Sequence, residues 1–527
     1  MNLASRGRQF ASVFAVVGAV VCLYSMRQAD PDLWGYLTYG KLFVESRGLP
    51  SRDAFAYTSS GFQWMTFEYG AQLLLWWAYH FAGPIGLMAL KCVVGGVALW
   101  CLFVTVRVTT HEPFIWAPIF LLCTSAICRF FVFRPQLFTF AFFALFVMVL
   151  FKFLLRRRAP LWALPVVMLA WANLHGGFLA GLGALGLVIL LRASENLAAF
   201  GWRSGRRLAE GTQQLWVTLA ACTAVTFINP LGPKLWVYIL TELSHSTNRR
   251  YIEEWAPASL HRDAWSMLAL TLIVFTLAVV GWAAHRREQR DTGPLAIYWV
   301  ASCVPLITMS YLSVRHVPLA AIWTGPVMTL LGSRVHDQLP QLAAFRRSWF
   351  LLRGVGILPV CLIFAVVYAD PRPDIRIDGA VLGSTHPCGA VAFLREQGAR
   401  GNLYNPLWWG AYITWELYPS VRVSIDGRNV SLFSDEMVLE NLKFYTDKVY
   451  QADIDVPFRY ATDFLIVPAN APVLSRLLAD SRWRRLYADS DSVLFEHADA
   501  GATRQDLSPP RLMPLIQQKK ACEAVLE

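Results

Sequence analysis

Repeated apolar runs constrain this chain more than any other feature of its sequence. Between residues 10 and 368, runs of roughly 17–23 apolar residues recur, and about 20 are needed to cross a bilayer as a helix. The 527 residues are 56% hydrophobic and only 16% charged, whereas about a quarter of the residues in soluble domains are charged. The sequence therefore predicts a polytopic α-helical membrane protein. The first run, 10–26, lacks a small-residue cleavage site, so we expect it to remain as a span.

The distribution of positive charge gives the orientation of the spans. Lysine and arginine number 47 against 36 aspartates and glutamates, a net charge of +11. The excess lies in short clusters between apolar runs, which is the positive-inside pattern and not a nucleic-acid-binding stripe. Placing every cluster in the cytoplasm predicts about eleven spans, with the N-terminus inside and residues after about Asp370 outside. The predicted spans are 10–26, 84–106, 114–131, 135–155, 160–174, 176–191, 214–229, 266–284, 295–312, 316–333 and 350–368.

The segment 70–83 is apolar but short for a span. Counting it as one would move all the downstream arginine clusters outward. We therefore expect an interfacial or re-entrant helix, because its tryptophan and tyrosine side chains suit the headgroup level. The alternative is a further span with a compensating break elsewhere, so the predicted number ranges from about 10 to 13. The predicted transmembrane domain covers 1–369 and includes a first outer loop at 27–69.

The composition changes after residue 370 to that of a globular domain. VRVSIDGR (421–428) alternates like a strand and ends in an Asp-Gly turn, and FLIVPA (464–469) and SVLFEH (492–497) are typical of strands. The segment 473–483 is helix-like. We predict a small extracytoplasmic α/β domain over 370–497 and a loose tail over 498–527. No P-loop and no G-x-G-x-x-G motif is present, so a nucleotide-driven pump is not supported.

With this topology, the unusual polar motifs all fall on the outer side. The arginine clusters alone set the orientation, so the agreement of these motifs is independent evidence. Carboxylates, arginines and histidines gathered at one face of a multi-span protein indicate a functional site. The motifs are DPDLW (30–34), TFEYG (66–70), FRPQ (133–136), NLHGGF (173–178), INPLG (228–232), IEEW (252–255) and SVRH (313–316).

Asp30, Asp32 and Glu68 are the acids of the first outer loop. Asp-Pro-Asp is compatible with a turn followed by a helix N-cap, which would be a structural role. A carboxylate held over a bilayer could instead act as a general base toward an acceptor hydroxyl, or ligate a divalent metal ion. Pro31 restricts Asp30 to extended conformations, so Asp32, which can begin the helix-like run after it, is the preferred base.

Arg134 and Arg315 lie at the outer mouths of two predicted spans. A guanidinium pairs bidentately with phosphate oxygens, so both are candidates for binding an anionic ligand. Each could instead be an arginine that snorkels to the interface. The remaining candidates for substrate binding are polar or aromatic side chains of the same motifs. They are Asn173, His175, Glu254, Trp255 and His316.

On these residues, the chain resembles the membrane-embedded C-type glycosyltransferase superfamily (GT-C), which includes protein O-mannosyltransferases and lipid A aminoarabinose transferases. It is most similar to a bacterial inner-membrane group of that superfamily. Two departures stand out: Tyr69, Gly70 and Ala71 replace the Lys-Pro-Pro of aminoarabinose transferases, and the WWDYG motif of oligosaccharyltransferases is missing. The resemblance rests on ADPDLW with the following YLTYGKLFVESRGLP, the FE of TFEYG, FRPQLF, WANLHGGF, INPLG and WGAYITWELYPSVRVSIDGR.

The resemblance implies transfer of a sugar from a polyprenyl-phosphate donor to a glycan, lipid or protein acceptor at the outer face of the bacterial inner membrane. It assigns the base or metal ligand to Asp32 or Asp30 and the second acid to Glu68. A single displacement would invert the anomeric centre. The alternative is a transporter or flippase of a lipid-linked glycan, which more often has paired repeats with broken helices; the sequence has no internal repeat. A non-catalytic assembly protein is a third possibility.

Overall fold

The structure is a computed structural model that divides into two compact units. The first, which we call the helical unit, comprises Met1–Met26 and Leu90–Pro371; the second, the sheet unit, comprises Arg27–Ala89 and Arg372–Glu527. The predicted span 350–368, most of 10–26, Asp30 and Glu254 lie outside the described residues. The structure describes residues 15–19, 31–59, 62–64, 66–155, 158–200, 212–244, 255–259, 263–287, 295–337, 386–428, 432–446, 453–499 and 511–512.

Helices account for most of the described residues. Short 3-10 turns at Gly176–Phe178 and Val314–His316 precede two of them. The α-helices are α1 (Leu33–Ser46), α2 (Tyr69–Thr109), α3 (Pro113–Cys128), α4 (Gln136–Leu154), α5 (Ala163–Leu174), α6 (Leu179–Phe200), α7 (Gln213–Val225), α8 (Lys234–Ser244), α9 (Ala264–Arg286), α10 (Ala296–Leu312), α11 (Val317–Asp337), α12 (Cys388–Glu396), α13 (Gly410–Leu417), α14 (Asp435–Thr446) and α15 (Leu474–Ala479).

The helices between residues 69 and 337 have the apolar character of a multi-pass membrane protein. Within the described ranges, four stretches are long and apolar enough to cross a membrane, and α3, α5 and α10 are apolar but shorter. Helices occupy the positions predicted for the spans between 84 and 333, while the total of eleven stays a prediction. The four long stretches are Tyr69–Thr109, Gln136–Leu154, Gly176–Ala198 and Ala264–Arg286.

A break interrupts α2 where the sequence analysis separated an interfacial segment from a span. Ala82 (φ −145°, ψ 18°) and Gly83 (φ 55°, ψ −142°) have non-helical torsions. Gly83 suits this position because a positive φ costs glycine little. Pro84 follows and disfavours a helical conformation at the residue before it. The segment before Ala82 and the segment after Gly83 are therefore two helical pieces separated by a kink.

The sheet unit contains the small C-terminal α/β domain that the sequence predicts. Its six strands have the order β2-β1-β3-β5-β4-β6. β1 runs parallel to β2 and β3, β5 is antiparallel to β3 and β4, and β4 is parallel to β6. The helix-like segment 473–483 forms α15 only as far as Ala479, and β4 begins at Trp483. The strands are β1 (Gly401–Tyr404), β2 (Val421–Val423), β3 (Phe464–Pro468), β4 (Trp483–Ala488), β5 (Ser492–His497) and β6 (Arg511–Leu512).

The segment after α1 belongs to this same unit, although the sequence analysis grouped 27–69 with the transmembrane domain. Ala56 forms a parallel bridge with Val423 of β2, and the amide of Tyr57 donates to the Val423 carbonyl at 3.0 Å. The Tyr57 hydroxyl lies 2.8 Å from Thr462 Oγ1. Main-chain pairing with the edge strand therefore attaches the acid-bearing loop to the C-terminal sheet.

Candidate functional site

A buried ion cluster forms around Arg428 in the sheet unit. The guanidinium bonds to Asp426 through Nε (2.9 and 3.1 Å) and Nη2 (2.7 Å), and its Nη1 donates to Asp53 at 2.6 Å. Only 6% of the Arg428 side chain and 0% of either carboxylate side chain is exposed. Bidentate and charge-assisted bonds are among the strongest hydrogen bonds in proteins. The cluster therefore fixes the loop at Asp53 to the turn at Asp426.

Aromatic rings enclose the guanidinium of Arg428. This arrangement suits a cation, because the ring faces carry negative potential. Burial, and after it the carboxylate of Asp426, raise the pKa of Tyr39 well above its ordinary value; the charge of Asp32 acts in the same direction. The Tyr39 phenol therefore stays protonated at physiological pH. The ring centroids lie 5.1 Å (Tyr39), 5.3 Å (Phe55) and 4.9 Å (Trp64) from the guanidinium carbon.

Asp32 stands at the start of α1, with its side chain against Gly427. It occupies the N-cap position, but its carboxylate makes no capping hydrogen bond. A Cβ atom added to Gly427 would lie 2.2 Å from Asp32 Oδ1 and 3.0 Å from Cγ. The carboxylate is therefore in close contact with the turn that carries Arg428. It is not used as the helix cap that the Asp-Pro-Asp sequence allows.

Glu68 immediately precedes α2 in the same unit. Its carbonyl accepts a hydrogen bond from the amide of Gln72 at 3.0 Å. The Gln72 side chain accepts a second bond from Thr66 Oγ1, also at 3.0 Å. These contacts fix the main chain around Glu68, whose side chain is partly buried. Its cooperation with Asp32 stays a prediction.

In the helical unit, His175 lies in the turn between α5 and α6. Its Nδ1 accepts a hydrogen bond from the amide of Gly177 (2.9 Å) and lies 2.8 Å from Thr139 Oγ1. Because Nδ1 accepts, the proton of the neutral ring is on Nε2. Burial, and then the positive charge of Arg315, lower the pKa of His175 to about 3. The imidazole is therefore neutral at physiological pH and can donate from Nε2.

Arg315, the source of that charge, lies over Trp255. Its guanidinium carbon is 4.1 Å from the centre of the indole ring. The segments that carry the two side chains also meet, because the amide of Val314 donates to the Ala256 carbonyl at 3.4 Å. We call His175, Trp255 and Arg315 the helix-end cluster, because Arg315 lies over Trp255 and its charge acts on His175.

Asn173 and His316 lie near the helix-end cluster in the sequence, and both side chains contact main-chain carbonyl oxygens. Asn173 Nδ2 donates to the carbonyls of Leu169 (2.8 Å) and Ile228 (2.9 Å). Both amide hydrogens are thus used, and the second bond joins the end of α5 to the segment after α7. His316 Nδ1 lies 3.3 Å from the Ser313 carbonyl. The predicted contact of either residue with a substrate remains a prediction.

Arg134 lies in the turn between α3 and α4 and is partly buried. Near this turn is Lys91, which the sequence analysis did not select. The Lys91 side chain is completely buried, and its ammonium lies 5.0 Å from the Phe133 ring and 5.9 Å from the Phe131 ring. The lysine in ALKCVV interrupts an apolar run. That interruption could have identified it, because charged side chains within spans are candidates for function.

The structure places Arg315 over Trp255, and the charge of Arg315 acts on His175. It brings Asp32 to Gly427, whose neighbour Arg428 pairs with Asp53. The sequence analysis does not select Asp53, Gly427 or Arg428 as functional; it treats IDGR only as a turn and as part of the family resemblance. The pairing of Asp53 with Arg428 spans 375 residues of sequence, so no local pattern could have indicated it.

Binding of a divalent metal ion is one of the roles predicted for the acids of the first outer loop. Across the described ranges, no group of three or more His, Cys, Asp or Glu side chains is arranged to hold a metal ion. Asp53 and Asp426 are both bonded to Arg428, whose positive charge repels a cation. Asp53 and Asp426 therefore do not fit a metal site, and a metal ion bound by Asp32 or Glu68 stays a prediction.

Comparisons with known proteins bear on the fold. No protein-family model and no curated protein sequence matches the chain. The structure is similar to the oligosaccharyltransferase of Archaeoglobus fulgidus tethered to an acceptor peptide with the NVT sequon (TM-score 0.59, 12% identity, 93% of this chain and 74% of that chain). It is also similar to ArnT from Cupriavidus metallidurans bound to undecaprenyl phosphate (0.45, 13%, 92% and 97%) and in the apo state (0.45, 14%, 96% and 100%).

The likeness to the oligosaccharyltransferase covers nearly the whole chain and shows its fold. The protein has the fold of the membrane-embedded GT-C glycosyltransferases. The family resemblance found in the sequence is thereby confirmed at the level of the fold.

Proposed function

We propose that this protein transfers a sugar from a polyprenyl-phosphate donor to an acceptor hydroxyl at the outer face of the bacterial inner membrane. The observation that carries the proposal is the placement of Asp32. On a GT-C fold, this carboxylate begins the first helix of the sheet unit, does not cap that helix, and lies against a turn fixed by buried ion pairs. A carboxylate held in one place suits a general base, which must be within hydrogen-bond reach of the proton it removes.

In the proposed reaction, the Asp32 carboxylate takes the proton of the acceptor hydroxyl. The acceptor oxygen forms a bond to the anomeric carbon as the bond from that carbon to the phosphate oxygen breaks. The polyprenyl phosphate leaves with the electron pair, and the configuration at the anomeric carbon inverts. Glu68 is proposed to orient the acceptor. Positive groups placed where the phosphate charge develops would stabilise the transition state.

The basic groups of the helical unit support a phosphate-binding role there. Arg315 belongs to the helix-end cluster, and its planar guanidinium can bind two phosphate oxygens at once. His175 presents a neutral Nε2 donor, and Trp255 supports the guanidinium face. Lys91 is a buried cation beside the turn that carries Arg134. We infer that these groups bind the donor phosphate.

Replacing Arg315 or Arg134 by alanine is expected to weaken donor binding by roughly 10- to 100-fold, since a hydrogen bond to a charged group contributes about 1.5–3 kcal/mol. Binding of polyprenyl-phosphate sugar to the purified full chain in nanodiscs measures the effect. Arg286→Ala is a matched control, because Arg286 also lies over a tryptophan, 4.6 Å from the Trp282 ring centre. Unchanged donor affinity in both test variants would rule out this binding site.

The predicted membrane topology can be tested separately. We expect residues 27–69 and the chain after Asp370 to share the extracytoplasmic compartment, because the arginine clusters place both there. Reporter fusions after Gly61 and after Asp370 should both report an extracytoplasmic location. Opposite locations for the two fusions would contradict this topology.

A transporter or flippase of a lipid-linked glycan remains the competing function. The break at Ala82 and Gly83 favours it, because transporters use interrupted helices to build substrate sites. The two functions predict different products. Incubation of the wild-type protein with a panel of polyprenyl-phosphate sugars and acceptors should yield a glycosylated acceptor and free polyprenyl phosphate. Movement of an intact donor between leaflets without any product would favour the transporter.

A further inference from the structure

The turn beside Asp32 has a counterpart elsewhere in the sheet unit, and the two turns differ in the residue at the middle position. In both turns, an arginine bonds to the aspartate two residues before it. The main-chain N, Nε and Nη2 distances are 3.1, 2.9 and 2.7 Å for Arg428 with Asp426, and 3.0, 3.0 and 2.7 Å for Arg482 with Asp480. The middle residue of the second turn is Ser481. A side chain at the middle position is therefore compatible with this turn.

Gly427 must then be glycine for a reason outside the turn itself. Its φ does not lie in the left-handed region that favours glycine. The obstacle to a side chain is Asp32, because an added Cβ would lie 2.2 Å from Oδ1. Two atoms cannot approach this closely without a bond. Either the turn or the Asp32 carboxylate would have to move.

The turn is the part that resists movement. Arg428 is held by two buried carboxylates and three aromatic rings, and only 6% of its side chain is exposed. The equivalent Arg482 is 45% exposed. Asp32, by contrast, is only partly buried. A side chain at position 427 would therefore displace the carboxylate and leave the turn in place.

We propose that Gly427 is a positioning residue for the base. The turn held by Arg428 forms a fixed surface that the Asp32 carboxylate contacts. This contact is possible because Gly427 has no side chain. The surface sets the distance from the carboxylate to the acceptor hydroxyl. The inference rests on the proposed function and adds to it the group that determines where the base stands.

The test is the Gly427→Ala variant of the full chain, assayed for sugar transfer in nanodiscs. We expect kcat to fall about 100-fold, since a displacement of about 1 Å can cost that much, with unchanged KM for the donor and an unchanged unfolding temperature. The split between kcat and KM separates positioning from a structural role, because loss of folded protein would not change kcat per folded molecule. Gly48→Ala is the control: the nearest atom to its added Cβ is 4.0 Å away, and wild-type kcat is expected.

A second variant keeps the test decisive if Gly427→Ala does not fold. Arg428→Lys preserves the charge but replaces a planar fork by a single ammonium, which loosens the turn. We expect a smaller fall in kcat, again with unchanged donor KM. Wild-type kcat in both variants, measured in a protein that transfers sugar, overturns the inference alone. A wild-type protein that transfers no sugar from any donor overturns the proposed function and the inference together.

Discussion

Replacing Asp32 by asparagine is expected to lower sugar transfer by about 10²–10⁴-fold, the usual effect of losing a general base. Asparagine has nearly the same shape as aspartate, so its amide can occupy the same place against Gly427. It cannot accept the proton of the acceptor hydroxyl. The variant should therefore fold, bind the donor with wild-type affinity and form product at this much lower rate. Product formation by the purified full chain, with donor binding measured in parallel, checks the prediction.

Three further variants calibrate this result. Asp30→Asn is expected to have a smaller effect, because a residue that precedes a proline, as Asp30 does in the sequence, is generally restricted to extended conformations. Glu68→Gln should affect use of the acceptor more than binding of the donor. Asp455→Asn is the matched control, because the side chain of this acid in the same unit is 60% exposed. If the Asp32 and Asp30 variants and their double variant all keep wild-type transfer, the loop has no catalytic role and the transporter becomes the better proposal.

Replacing Arg428 by methionine is expected to destabilise the sheet unit by about 3–5 kcal/mol, because it leaves the carboxylates of Asp53 and Asp426 buried without their counter-charge. For a unit of this size, that loss corresponds to a decrease of roughly 6–20 °C in unfolding temperature. Intrinsic tryptophan fluorescence of the full chain during heating measures the effect.

The matched comparison is Arg482→Met. This arginine has the same bonds to the aspartate two residues before it, but it is 45% exposed. An exposed ion pair contributes only about 0–1 kcal/mol, so the unfolding temperature should change by at most about 4 °C. Equal effects of the two substitutions would show that the burial of Arg428 contributes no stability beyond the local turn.

The sequence predicts the helices of the membrane part well because the bilayer imposes a long apolar run on each span. It also predicts β3 and β5, whose residues are nearly all buried and each of which contains a short apolar run. β4 was missed because its sequence, WRRLYA, continues the charged and apolar mixture of α15. Only the turn at Asp480 separates the two elements, and short elements of this kind depend on their pairing partners.

The candidate site was predictable in part. Asp32 was selected on local grounds, from its proline neighbour and its position before a helix-like run. The contact with Gly427 and the pairing of Asp53 with Arg428 depend on segments far apart in the sequence. A single sequence contains no pattern that reports such contacts. Lys91 is different, because a lysine within an apolar run can be recognised from the sequence alone.

The long sequence separation within the buried ion cluster also dictates an order of assembly. Asp53 and Arg428 are 375 residues apart, and chains are synthesised at about 5–20 residues per second, so Asp53 waits roughly 20–75 s for its partner. During that interval the first loop lacks both its ion pair and the edge strand to which Ala56 is joined. A nascent chain, or one that terminates before residue 421, therefore has no fixed place for Asp32. Under the proposed function, the enzyme would become active only when its C-terminal segment has been made and has reached the first loop.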